Sequence, residues 1–470
     1  MVRKMKTENL KIAGIQLKEL KPRRNIFFFI ISLVAAFLLS RLLEGPGFTQ
    51  SQNYVLFLLF FSIGLWLTEA IPPFAVALFI MAYLVFTLGN ARLNTEPRDI
   101  AKYVQTFSNS IIWLLLGGFF LAEAMTKTGI DVYFFRFCLR LSGKVPKNIL
   151  LGIMLMTMFA SMILSNSATT SMLIVAVMPL IRKLGKNTFC NALIVGIPLA
   201  ASVGGMATII GSPTNAIAVG ALENNGISMS FLKWMYFGFP IAVILTIAGW
   251  WLLKRKYIKT EIPIEFELPA QDKPADKKTR EQLRIVIVVL VTTVSLWLTS
   301  SLHHLTVSTV SVVPIVFLTM TGIIKAEDVR RIPWDTLILV AGGLSLGLGL
   351  QDTGILEHFA SHMKTSGFAS VIMYLAFAYI TMLFSNIMSN TATATILIPL
   401  GIFMMPEHAT QIAVVVGLAA STALLLPVST PPNAIAYSTG LIKQKEFFPG
   451  GLLIGLFGPL LIALFVQLVL

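Results

Sequence analysis

Residues 161–172 read SMILSNSATTSM, inside a run from Ile149 to Ile181 that carries no charged side chain. About 20 apolar residues of helix cross a bilayer core, so this run is longer than one crossing and polar at its middle. A second run, 371–404, repeats the arrangement with SNIMSNTATATI at 385–396. In hydrocarbon an unpaired amide or carbonyl is costly, and irregular backbone survives only where protein or a wet cavity satisfies it. Ser165-Asn166-Ser167 and Ser389-Asn390-Thr391 compete with the helical ladder through local hydrogen bonds. A break there frees carbonyls on one side and exposes a helix N-terminus on the other. Carbonyl and hydroxyl oxygens suit a hard cation such as Na+, and N-terminal amides suit a carboxylate or phosphate. A single motif of this kind reads as hydroxyls bonded within their own helix; two in matching positions point to a transporter site.

The whole chain supports that reading. Of 470 residues 56% are hydrophobic and 12% charged, with mean hydropathy +0.81, where soluble domains carry about 25% charged residues. The fold class is an all-α polytopic membrane protein; the short alternating segments of a membrane barrel do not appear. The net charge of +14 comes from basic flanks beside apolar runs: Lys18, Lys21, Arg23 and Arg24, then Lys254, Arg255 and Lys256. Such flanks are held in the cytoplasm, and no nucleic-acid surface is expected. Two cysteines, Cys138 and Cys190, give neither a disulfide framework nor metal spacing. The apolar run Ile26–Ser40 ends in SRLLEG rather than at a small-residue cleavage site, so it is expected to stay as the first helix.

Apolar spans are expected at about 25–43, 54–70 and 73–90, the last two parted by Pro72 and Pro73. A hairpin-like segment follows around 106–127, then an amphipathic piece at 131–143 and long spans near 148–182, 187–222 and 232–254. After the hydrophilic loop 255–282, spans resume at 283–299, 305–323, 334–355, 368–404, 409–442 and 448–470. The chain repeats itself: GGFFLAEAMTKTGI at 117–130 matches GGLSLGLGLQDTGI at 342–355. Gly129 lies 36 positions before Ser165, and Gly354 lies 35 before Ser389. Each half closes with a second break, GSPTN at 211–215 and STPPN at 429–433. There proline removes backbone donors, Gly211 allows a close backbone approach, and Asn215 and Asn433 can cross-link the broken ends. The C-terminal span lacks basic residues, which favours halves of inverted topology.

Runs 149–181, 187–222, 371–404 and 409–442 contain no Asp, Glu, Lys, Arg or His. A proton relay needs a titratable group in the membrane, so proton coupling through these segments is disfavoured. An anion bound there meets no side-chain cation, and bound cations are the economical counter-charge.

At these residues the sequence resembles the divalent-anion/sodium symporter family of dicarboxylate and citrate transporters, from LTEAIPPFAVAL (67–78) to LLLPVSTPPNAIAY (424–437). The resemblance implies an inverted-repeat, elevator-type transporter with about 11 transmembrane helices, two re-entrant hairpins and a dimeric scaffold. It implies a cytoplasmic segment 1–24, scaffold helices in 25–103 and 283–331, a scaffold-linked helix 223–254 and a cytoplasmic loop 255–282. Transport-domain repeats fall in 104–222 and 332–470. One Na+ site would use Ser161, Ser165, Asn166 and the backbone of Gly211; the other Ser385, Ser389, Asn390 and the backbone of Ser429. The substrate would touch Ser165, Asn166, Ser167, Ser389, Asn390, Thr391, Thr430 and Pro431. Ser167 stands where the family usually has threonine, and GSPTN replaces a Pro-Pro pair. The implied function is secondary transport of a C4-dicarboxylate (succinate, malate or fumarate type) with Na+, by a homodimer in a bacterial inner membrane, N-terminus cytoplasmic. The alternatives are a Na+-independent exchanger, for which Lys127 and Lys233 are the candidate basic residues, or a carrier of citrate or sulfate.

Other signals are set aside. EHFASH (357–362) lacks the zincin order, and His303-His304 reads as a helix end. Glu69 reads as a cap beside Pro72, and Glu123 and Asp352 as solvated ends. The GG motifs lack a phosphate-loop context. A channel would need a continuous polar path, and serine chemistry would need a nearby base; no enzyme is expected.

Overall fold

The computed structural model describes residues 22–45, 47–94, 97–185, 187–259, 263, 277–355 and 370–470. The segment before Pro22, most of the hydrophilic loop and EHFASH lie outside the described residues. The first four long helices are α1 (Pro22–Leu42), α2 (Gln50–Thr68), α3 (Pro73–Leu88) and α4 (Ser110–Thr128). The double proline acts as expected: α2 ends at Glu69, left-handed at φ 49°, and α3 starts on Pro73, where a missing N–H costs nothing. The expected hairpin at 106–127 is not one. It is the single helix α4, whose Gly117 and Gly118 lie against Ser311 and Ile210 rather than against a second hairpin arm.

The re-entrant hairpins are instead the polar-centred runs themselves. After α5 (Ile130–Ser142) come α6 (Pro146–Ser161), α7 (Asn166–Leu184), α8 (Thr188–Gly204) and α9 (Pro213–Asn224). Gly196 of α8 packs on Leu150 and Met154, and Gly204 on Met158, so α6 and α8 run the same way. Asn166 touches Gly205 while Cys190 Sγ bonds Gly185 O at 3.7 Å, so α7 runs the other way. The chain therefore reverses at Met162–Ser165. A straight 33-residue helix would be about 50 Å long, well beyond a bilayer core.

The next helices are α10 (Phe231–Tyr257), α11 (Lys277–Leu298), α12 (Val307–Met320) and α13 (Trp334–Asp352). Then come α14 (Ser370–Ile387), α15 (Asn390–Met404), α16 (Ala409–Ala419), α17 (Pro431–Ser438) and α18 (Phe447–Val469). The second half repeats the reversal. Gly401 packs against Phe377 and Ile412, and Asn386 Oδ1 accepts from Leu425 N at 3.1 Å, so α14 follows α16 and α15 opposes both.

The two hairpins open on opposite faces. The first has its base beside the C-terminal end of α10: Trp250 Nε1 donates to Lys147 O at 2.9 Å and Thr188 Oγ1 to Tyr257 O at 2.7 Å. Lys254, Arg255 and Lys256 mark this as the basic face. Glu446, just before α18, joins Lys256 at 3.2 Å and also takes the Tyr257 hydroxyl. α18 is about 34 Å long, and at its far end Gln467 meets Ser370, the start of the second hairpin, at 3.0 Å. The halves are thus inverted. Among the described residues ten helices are long and apolar enough to cross a membrane, or eleven with the 390–422 pair, bent by 118°, taken as one span. Treating both hairpins as re-entrant and α8/α9 and α16/α17 as single broken crossings also gives eleven: α1–α4, α8/α9, α10–α13, α16/α17 and α18.

Candidate functional site

Each hairpin tip is built by its own sequence. Ser165 caps α7, its hydroxyl accepting Ala168 N at 3.2 Å, and Ser389 caps α15 through Ala392 N at 3.2 Å. These bonds occupy N-terminal amides that would otherwise lack partners. Each broken helix is tied by an asparagine, as its position suggested. Asn215 Nδ2 donates to Gly205 O at 2.9 Å and Thr208 O at 2.7 Å, and Asn433 Nδ2 to Leu424 O at 3.2 Å and Leu426 O at 3.0 Å. Trp234 Nε1 satisfies another freed carbonyl, Met206 O, at 3.1 Å.

Tips and breaks surround a cavity of about 800 Å³, a size typical of small-molecule sites. Its lining includes all eight expected substrate residues, Ser165, Asn166, Ser167, Ser389, Asn390, Thr391, Thr430 and Pro431, together with Gly211 and Ser429. Ser161 and Ser385 are fully buried and do not line it. Leu115 and Phe119 of α4 form an apolar wall, and Glu69, Pro333 and Thr336 also line the space. Pro333 and Thr336 lie at the opposite end of α13 from Asp352, and Glu69 at the end of α2 away from Ser51, whose hydroxyl meets Asn94 beyond α3. The cavity therefore opens toward the basic face.

Four helices start at this cavity: α7 at Asn166, α9 at Pro213, α15 at Asn390 and α17 at Pro431. An N-terminus carries about half a positive charge, so the four together approach the charge of two cations. Among the described lining residues Glu69 is the one ionisable side chain. Lys127 and Lys233 do not line the cavity; Lys127 is ion-paired to Asp328.

One end of the Asn166 amide faces three oxygens: Ser161 Oγ at 2.6 Å, Ala201 O at 3.2 Å and Gly211 O at 3.3 Å. Either the amide nitrogen turns inward and donates, or the amide oxygen turns inward and shares a cation with the others. The set is neutral and all oxygen, which fits a hard monovalent cation. Gly211 is needed here, since a Cβ on it would stand 2.5 Å from Gly205 O. At the second tip Ser385 Oγ and Asn390 Oδ1 are buried without a hydrogen-bond partner among the described residues. Both stand 224 positions after Ser161 and Asn166, so the residue types of the first tip are repeated there.

Some contributors escaped the sequence reading. Asn386 Oδ1 accepts the Ser429 hydroxyl at 2.7 Å as well as Leu425 N, locking the second tip to its break. Ser429 thus acts through its side chain. The doubled Ser-Asn at 385–386 and 389–390 was the available signal. Thr208 does the matching work in the first half, donating to Met162 O and accepting Gly211 N at 3.0 Å. Ser202 Oγ lines the cavity, buried and without a partner among the described residues; the glycine pair after it was its only mark. Asp352 is an ion-paired joint rather than a solvated end, bonded to Lys102 and to the Tyr103 hydroxyl.

Two hairpins and two broken helices, inverted and meeting around one cavity whose tips and breaks carry only uncharged polar groups, define an α-helical membrane transporter. The chain belongs to the citrate transporter family: the family model described as CitMHS, citrate transporter, matches residues 63–416. It is 28% identical over 470 residues to the sodium-dependent dicarboxylate transporter SdcS of Staphylococcus saprophyticus, covering 92% of this chain and 88% of that protein. Identity to SdcS of Staphylococcus aureus strain USA300 is also 28%, covering 88% and 85%. Two solved structures share the fold at TM-score 0.58. They are Neisseria gonorrhoeae MtrF at 11% identity, covering 85% of this chain and 95% of that one, and Alcanivorax borkumensis YdaH at 12%, covering 85% and 99%.

Proposed function

We propose that this protein carries small dicarboxylates of the succinate, malate and fumarate type across the cell membrane, coupled to Na+. The convergence of four helix N-termini on a cavity with no side-chain cation among its described lining residues carries the reading. That geometry offers about two units of diffuse positive charge to a dianion, and the oxygen clusters behind the tips offer seats for the coupling ions. The names of the SdcS relatives agree with both. Na+ coupling is preferred over exchange because neither Lys127 nor Lys233 lines the cavity.

In this reading the basic face is cytoplasmic, so the cavity is open inward. The hairpins with α8–α9 and α16–α17 move as one unit past a dimeric scaffold of the remaining spans, in a bacterial inner membrane. The test is uptake into proteoliposomes with succinate, citrate and sulfate, each in Na+ or choline. Succinate accumulation that requires Na+ is expected. Uptake indifferent to choline but stimulated by internal dicarboxylate would replace symport with exchange, and uptake of sulfate or citrate alone would replace the substrate.

A further inference from the structure

The correspondence between halves can be checked against the ion pairs. The glycine motifs place Lys127 opposite Asp352, a shift of 225 positions, and the same shift carries Tyr103 to Asp328. Lys127 binds Asp328 in the turn Ala326–Val329 before α13. Asp352 binds Lys102 and, at 2.9 Å, the Tyr103 hydroxyl in the turn Ala101–Val104 before α4. One joint is built twice, on opposite faces, with its charges exchanged. Positions 225 apart therefore do the same work on the two faces.

On the face away from the basic one, where the cavity is shut, α4 and α13 are latched to the end of α9. Ser110 Oγ donates to Glu223 Oε2 at 2.5 Å, Asn109 Nδ2 to Asn224 Oδ1 at 3.3 Å, and Gln351 Nε2 to Asn225 Oδ1 at 3.5 Å. The mates of Asn109 and Ser110 on the basic face are Trp334 and Asp335. Asn215 and Asn433 are 218 positions apart, and that shift carries Glu223, Asn224 and Asn225 to Leu441, Ile442 and Lys443, of which Lys443 alone has a polar side chain to meet Asp335. α17 has 8 residues against 12 in α9, so the side chain arriving at the mouth comes from the connection after it. Here no latch is closed among the described residues. Trp334 is 43% exposed, Asp335 and Lys443 are exposed, and neither charge has a salt bridge among the described residues. Pro333 and Thr336 flank one side of the mouth, while Ala434 is shared with a second space that reaches Lys443 along α17.

We propose that Asp335 and Lys443 pair when the cavity turns to the other face, shutting its basic-face mouth as Ser110 and Glu223 shut the opposite one. They are positioning residues that do not touch the substrate. The inference rests on the transport reading only in requiring a cavity that opens to each face in turn.

The test uses the full chain in liposomes, with Cys138 and Cys190 replaced by alanine and Asp335→Cys and Lys443→Cys introduced. A short bis-maleimide should join the two cysteines, detected as a linked peptide by mass spectrometry. The yield should rise severalfold when Ser110→Ala and Glu223→Gln loosen the opposite latch. In the cysteine-intact protein, Asp335→Lys and Lys443→Asp should each cut Na+-driven uptake severalfold, and combining them should restore at least half of it. Failure of the link, or a double variant no better than the poorer single one, overturns the pairing. Linking needs no substrate, so a link formed in the cysteine variant beside an unaltered parent that takes up no succinate would refute the substrate reading and leave the pairing standing.

Discussion

Asn166 occupies the space that a side chain on Gly205 would need: a Cβ there would stand 2.4 Å from Asn166 Oδ1. The backbone of Gly205 is helical, at φ −60°, so alanine is tolerated by the chain itself and the conflict falls on the tip of a flexible side chain. Gly205→Ala should displace the amide from Ser161, Ala201 and Gly211 without unfolding the protein. The concentration of Na+ giving half-maximal uptake should rise about tenfold, equivalent to about 1.4 kcal/mol, at unchanged melting temperature. A Na+ titration of uptake that overlays the parent curve would remove Asn166 from the cation seat.

Asn386 and Asn390 separate support from function. Asn386 is 9% exposed and accepts two hydrogen bonds across the second break, so Asn386→Ala strands two buried donors at about 1–3 kcal/mol each. It should lower both the melting temperature and uptake. Asn390 lines the cavity, and its Oδ1 has no hydrogen-bond partner among the described residues. Asn390→Ala should abolish uptake and leave melting unchanged. Thermal unfolding in detergent, read beside liposome uptake, distinguishes them; equal destabilisation by both would make Asn390 structural.

The Lys127–Asp328 joint carries a pH signature. The hydrogen bond from Lys127 holds the Asp328 carboxyl below its ordinary value of 3.8, despite burial pulling it upward. A carboxylate with a lowered folded-state pKa stabilises the fold above its unfolded pKa and loses that contribution as pH falls through the folded one. Lys127→Met should therefore lower the melting temperature at neutral pH, with the gap from the parent closing below about pH 4. A gap constant from pH 7 to pH 3 would mean that the ion pair contributes nothing.

Much of the site was legible beforehand because its chemistry is local. Ser165 and Ser389 are adjacent in the chain to the N-termini they cap, and Asn215 and Asn433 reach carbonyls only 7 to 10 residues back. The misplaced hairpin has the opposite cause. Hydropathy reports that a run is apolar and long; whether it turns back depends on a third helix lying along both legs, as α8 does for α6 and α7. Ser202, Thr208 and Asn386 were missed because their roles depend on partners or on a cavity brought together by that same packing.

From the sequence alone follow a chain confined to the bilayer, two equivalent uncharged interruptions, and the residue types able to serve a cation and an anion there. These are matters of composition and of backbone groups that must be satisfied without water. Only the tertiary structure decided that the interruptions are hairpin tips on legs entering from opposite faces. It also decided that four helix ends share one cavity, and that this cavity faces the basic side. Those facts depend on packing between segments up to some 250 residues apart, as between Tyr103 and Asp352 with |i−j| = 249, and apolar periodicity carries no record of such partners.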